Sequence, residues 1–108
     1  KADVNMVSAT SGTFPLLMAA QCGHAACVEQ LLACKADVNM VSATSGTFPL
    51  LMAAQCGHAA CVEQLLACKA DVSMVKATTG NFPLLVAALN GHAACVEQLL
   101  ACKADVSM

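Results

Sequence analysis

Apolar residues along the chain fall into two kinds of block, separated by a polar stretch that carries glycine. The first block, Phe14 to Ala20, holds Pro15 near its start, where a proline suits the first turn of a helix because its missing N–H would be unpaired anyway. Leu16 to Cys22 continue it, and Gly23 stands where a left-handed residue closes a helix. This pattern predicts a first helix of about two turns. From Ala25 to Cys34 the spacing changes. Cys27, Leu31 and Cys34 fall at i, i+4 and i+7 with Val28 and Leu32 beside them, which predicts a second helix with one apolar face. After Lys35, the stretch KADVNMVSATSGTF has no helical period and reads as an extended turn or hairpin.

The whole pattern then repeats. Residues 1–34 recur unchanged as 35–68, and 69–102 repeat them with seven substitutions. These are Ser73 for Asn5, Lys76 for Ser8, Thr79 for Ser11, Asn81 for Thr13, Val86 for Met18, Leu89 for Gln21 and Asn90 for Cys22. Residues 103–108 begin a fourth copy, so 1–108 reads as a single array of period 34 with no capping repeat. A tetratricopeptide array would need two longer helices and aromatic positions that this unit does not have.

The second copy reads Gly46, Thr47, Phe48, Pro49, Leu50, Leu51, Met52, Ala53, Ala54, Gln55, Cys56, Gly57, His58, and later Leu65, Leu66, Lys69, Ala70, Asp71, Val72. This resembles the ankyrin repeat family in register over the whole chain. The resemblance implies an all-α, ankyrin-repeat-like solenoid of helix-turn-helix units with extended hairpin or loop fingers. It also implies that His24, His58 and His92 are structural. Three departures from the family pattern carry physical consequences. Phe14, Phe48 and Phe82 replace the Thr before Pro, removing a helix cap worth ~1 kcal/mol. Burial of the ring, roughly 1.5–3 kcal/mol, is the expected compensation. Lys35, Lys69 and Lys103 replace the usual Gly and are expected in left-handed backbone, at a strain on the order of 1 kcal/mol. One extra residue lengthens the finger and should leave the helices in place.

Composition narrows the function. The chain is 58% apolar and 11% charged, with five Lys, no Arg and a net charge of −2. Neither nucleic acid nor an anionic membrane surface would find the basic cluster it needs. No apolar run approaches the ~20 residues of a membrane span. Eight cysteines include the string Cys22, His24, Cys27, which has zinc-like spacing. The third copy replaces the first of these with Asn90, and Cys27 falls on the apolar face, so no metal site is expected and the cysteines read as small hydrophobes. Because equivalent cysteines recur at the repeat period, they should stay reduced, which points to an intracellular, cytoplasmic or nuclear, setting. Glu29, Glu63 and Glu97 stand singly, no glycine-rich phosphate loop appears, and neither a catalytic residue nor a cofactor is expected.

The seven substitutions all fall in the finger or the first helix, and the resemblance places these elements on the family's concave, partner-contacting face. The candidate contact residues are therefore Lys76, Thr79, Asn81, Leu89 and Asn90 in copy three, with Ser42, Ser45, Thr47, Gln55 and Cys56 at matching positions in copy two. The expected function is a non-enzymatic protein–protein interaction scaffold, a segment of a longer solenoid. The alternative is a self-assembling filament of head-to-tail and laterally stacked repeats. An uncapped end would leave a few hundred Å² of apolar surface in water, on the order of 10 kcal/mol, so self-association through the ends is expected.

Overall fold

The computed structural model describes residues 4–103, and every regular element among them is a helix. The helices come in pairs: α1 (Pro15–Cys22) with α2 (Ala25–Ala33), α3 (Pro49–Cys56) with α4 (Ala59–Ala67), and α5 (Pro83–Leu89) with α6 (Ala93–Lys103). In one layer α1 packs on α3 and α3 on α5; in the other α2 packs on α4 and α4 on α6. Stacking three similar units in line gives an elongated all-α solenoid of 43 × 28 × 24 Å.

Local chemistry accounts for the boundaries of the inner helices. Pro15, Pro49 and Pro83 each occupy the first turn, and Gly23 and Gly57 close α1 and α3 with φ of 80° and 77°. The His24 and His58 N–H groups then donate back to the Ala19 and Ala53 carbonyls, both at 2.9 Å, which satisfies carbonyls the helix end would leave unpaired. In the third copy Asn90 takes over as the cap in ordinary backbone, so α5 stops one residue earlier. None of the three phenylalanines caps its helix by a side-chain hydrogen bond. Phe14 and Phe48 are buried instead, 2% and 1% exposed, whereas Phe82 is 36% exposed.

The outer helices depart from expectation at one point. Cys34 lies beyond the end of α2, as its cap, and is exposed. Cys68 and Cys102 are exposed as well, Cys102 although it lies inside α6, so the apolar stripe does not extend to i+7 in any copy. Val28, and in the central copy Cys61, Val62 and Leu65, supply the buried face.

Lys35 and Lys69 are left-handed, each with φ of 73°. Their turns are closed by the Ala36 N–H to Leu31 and the Ala70 N–H to Leu65, both at 3.0 Å. Lys103 differs: it is the last residue of α6, in helical backbone, and residue 104, which would close the corresponding turn, lies outside the described residues.

The fingers are loops, with no strand among the described residues. Each is pinched by the same two backbone bonds. In the first, the Ser8 N–H donates to Thr13 at 2.7 Å and the Gly12 N–H to Ser8 at 2.9 Å; Ser42, Gly46 and Thr47 repeat this, as do Lys76, Gly80 and Asn81. Asp37 and Asp71 accept from the Asn39 and Ser73 N–H groups at 3.1 and 2.9 Å, as a turn-forming Asp does. Asp3 and Asp105 fall outside the described residues. The extra residue is absorbed in these loops.

Candidate partner-binding groove

Because the fingers project past the inner helices, the two enclose a groove of about 450 Å³. Ser42, Ser45, Thr47, Gln55 and Lys76 line it together with Ser11, Thr13, Leu17, Met18, Gln21 and Met52. Cys56, Thr79, Asn81, Leu89 and Asn90 are not among the lining residues. Five of the ten sequence-selected residues thus come together in one place, and five do not.

Several of those ten spend their polar atoms on the fold. Ser42 is only 3% exposed; its Oγ donates to the Gly12 carbonyl at 3.2 Å and accepts from the Ser45 N–H at 3.3 Å. It ties the second finger to the first. Thr79 Oγ1 accepts from the Asn81 N–H at 3.3 Å, closing the third finger. Asn90 Nδ2 donates to the Gln55 carbonyl at 3.0 Å, joining the second and third copies. Leu89 is 77% exposed at the far end of the stack.

Other groove residues were within reach of the same reasoning. Ser11, Thr13, Met18, Gln21 and Met52 occupy columns that differ between copies, so the substitution pattern points to them as well. Leu17 sits in an unchanged column and carries no such signal.

Thr13 Oγ1 and Thr47 Oγ1 lie behind the groove wall, closed to solvent and without a hydrogen-bond partner, so the groove's chemistry comes from elsewhere. Lys76 is the single charged residue of the lining. Its stem crosses the turn of the second finger, Cγ lying 3.7 Å from where a Cβ on Gly46 would be.

The remaining candidate chemistry lies elsewhere. His58 Nε2 donates to the Gln21 carbonyl and His92 Nε2 to the Gln55 carbonyl, each at 3.0 Å, so both imidazoles bridge successive copies. Among the described residues, no three His, Cys, Asp or Glu side chains gather as a metal site would require. No helix among them is long and apolar enough to cross a membrane.

The eight cysteines are free, six exposed and two, Cys61 and Cys95, buried. Burial pushes the thiols of these two above the ordinary range, because the anion would lose its solvation. In dilute native protein, six thiols are expected to react quickly with an alkylating reagent, and Cys61 and Cys95 only on unfolding, as peptide mass mapping would show. Alkylation of Cys61 as fast as Cys56 would contradict its burial. Unfolded thiols ionise first as pH rises, so stability is lost above the ordinary thiol value and is intact below it.

Residues 16–108 match a family model described as ankyrin repeats, in three copies. No curated protein matches the chain.

Proposed function

The chain belongs to the ankyrin repeat family, and from that premise we propose that it is a non-catalytic protein-binding module whose groove takes an extended segment of a partner protein. One observation carries this reading. The groove sets a single charged side chain, Lys76, beside the polar Ser45 and Gln55. Met18, Met52 and Leu17 add apolar area beside these polar groups, and methionine adapts to irregular partner surfaces. With Lys76 as the only charge in the lining, the segment is expected to carry a carboxylate. Six exposed free thiols support a reducing, intracellular setting for the module.

The test is selection from a randomised peptide library displayed against the native chain. Selected peptides should be enriched in Asp or Glu, and Lys76→Glu should weaken them at least tenfold, which is about 1.4 kcal/mol. Gln55→Ala, at an exposed lining side chain, should weaken them less while leaving the helical circular dichroism unchanged. Peptides that bind both variants as well as the parent would place the binding face somewhere other than this groove.

A further inference from the structure

Asn5, Asn39 and Asn81 precede Met or Phe, whereas Asn90 precedes a glycine, Gly91. The third copy alone has this pair, since the first two carry Cys22–Gly23 and Cys56–Gly57 in its place. An asparagine amide is open to attack by the backbone nitrogen of the following residue, and a glycine, having no Cβ, leaves that nitrogen unhindered. Asn90 is also exposed, so water reaches it. The pair is therefore reactive by its covalent structure, and the fold decides whether it reacts.

Each participant in that reaction is held away from it. Asn90 caps α5 with ψ of 5°, which sets the Gly91 nitrogen beside the Asn90 backbone nitrogen and away from Cβ. The Gly91 N–H donates to the Ala88 carbonyl at 3.2 Å and the His92 N–H to the Ala87 carbonyl at 2.9 Å. The turn cannot rotate without giving up both. The side-chain amide is tied as well: Nδ2 donates to the Gln55 carbonyl at 3.0 Å, and His92 Nε2 donates to the same oxygen at 3.0 Å. One carbonyl of the second copy thus clamps the residues on both sides of Gly91. At the preceding junction His58 makes its bond to Gln21 with Cys56 standing in place of the asparagine.

We infer that Asn90–Gly91 is a self-modification site, a deamidation held in check by the clamp on the Gln55 carbonyl, and that its reaction unlocks the third copy from the second. When the junction opens, the Gly91 nitrogen bonds to Asn90 Cγ, the Cγ–Nδ2 bond breaks, and ammonia leaves with the proton from Gly91. Water then opens the succinimide at either carbonyl, leaving aspartate or isoaspartate at position 90. The product carboxylate has no N–H to offer and sets an anion against the Gln55 oxygen, so the clamp loses one of its two donors. Isoaspartate also carries the main chain through Cβ, which lengthens the turn between α5 and α6. Both changes oppose reclosure, and the reaction does not reverse. It is independent of what the groove binds.

Peptide mass mapping tests this on the full chain, kept reduced at neutral pH and incubated either native or unfolded in guanidinium. In guanidinium Asn90 should turn from amide to acid well ahead of Asn39 and Asn81. In the native chain it should react about tenfold or more slowly, because it reacts only during local opening. His92→Ala, which removes the other donor of the clamp, should raise the native rate. Asn39 keeping pace with Asn90 in guanidinium, equal rates in the native and unfolded chains, or His92→Ala at the parental rate would each overturn the proposal. Should His92→Ala lose its helical circular dichroism, hydrogen exchange at the Gly91 amide of the parent takes its place. Ring closure must free that amide, so deamidation should be slowed at least as much as exchange; a smaller slowing would mean that the clamp is no gate. For the unlocking, Asn90→Asp should lower the guanidinium midpoint and Asn90→Ser, neutral at the same position, should lower it less. Asn90→Asp with the parental midpoint would show that the modification leaves the junction closed.

Discussion

Phe48→Ala is expected to lower stability by about 3–5 kcal/mol, the range for deleting an aromatic ring from a packed core. Phe82→Ala, the same change one repeat later, is expected to cost less than half as much. The two phenylalanines share an extended backbone before a proline-initiated helix, with φ of −147° and −141°. They differ in cover: Phe48 is 1% exposed and Phe82 36%. Deleting Phe48 opens a cavity between the second and third copies, whereas deleting Phe82 removes a ring that water already reaches. Urea denaturation followed by circular dichroism gives the comparison, at protein concentrations low enough that the midpoint no longer shifts with dilution. Equal losses at the two sites would mean that burial is not what replaces the missing helix cap.

Gly57→Ala should be the next most damaging, at about 2–4 kcal/mol, against about 1–2 kcal/mol for Gly91→Ala. Both glycines are left-handed, with φ of 77° and 74°, so the backbone strain of adding a Cβ is common to both. Only at Gly57 does the new carbon meet a neighbour, the His92 ring, at 2.6 Å; at Gly91 nothing lies within 4 Å. The imidazole can swing aside only by giving up its bond to the Gln55 carbonyl. The difference between the two variants therefore measures the histidine bridge between successive copies. It is read from denaturation midpoints under the same dilute conditions, with His92→Ala as a third arm in which the difference should shrink. Equal effects at the two glycines would leave the bridge with no measurable role.

These paired comparisons separate what is local from what is not. The starts of the inner helices were legible because proline dictates them, and glycine dictates where the first two inner helices stop; the left-handed Lys35 and Lys69 were legible as substitutes for such a glycine. Cys34 falls off the buried face because its helix ends one residue earlier and because this column faces away from the stack, Cys102 being exposed even inside α6. The groove was half legible. Variation between copies pointed to the finger and inner helix, yet it could not separate Ser45, which lines the groove, from Ser42, whose hydroxyl is bonded to the neighbouring finger.

Residues 1–34 and 35–68 are identical, and that identity draws the line between the two levels. The sequence by itself determined the unit: its period, its helix starts, its glycine and lysine turns and its membership of the ankyrin repeat family. Those features depend on backbone preferences and side-chain spacing within one copy. Only the tertiary structure decided that Cys27 is exposed and Cys61 buried, and that His58 bridges to a carbonyl while His24 is left exposed. Burial is a property of what lies next to a residue, and two identical segments differ in nothing except their neighbours.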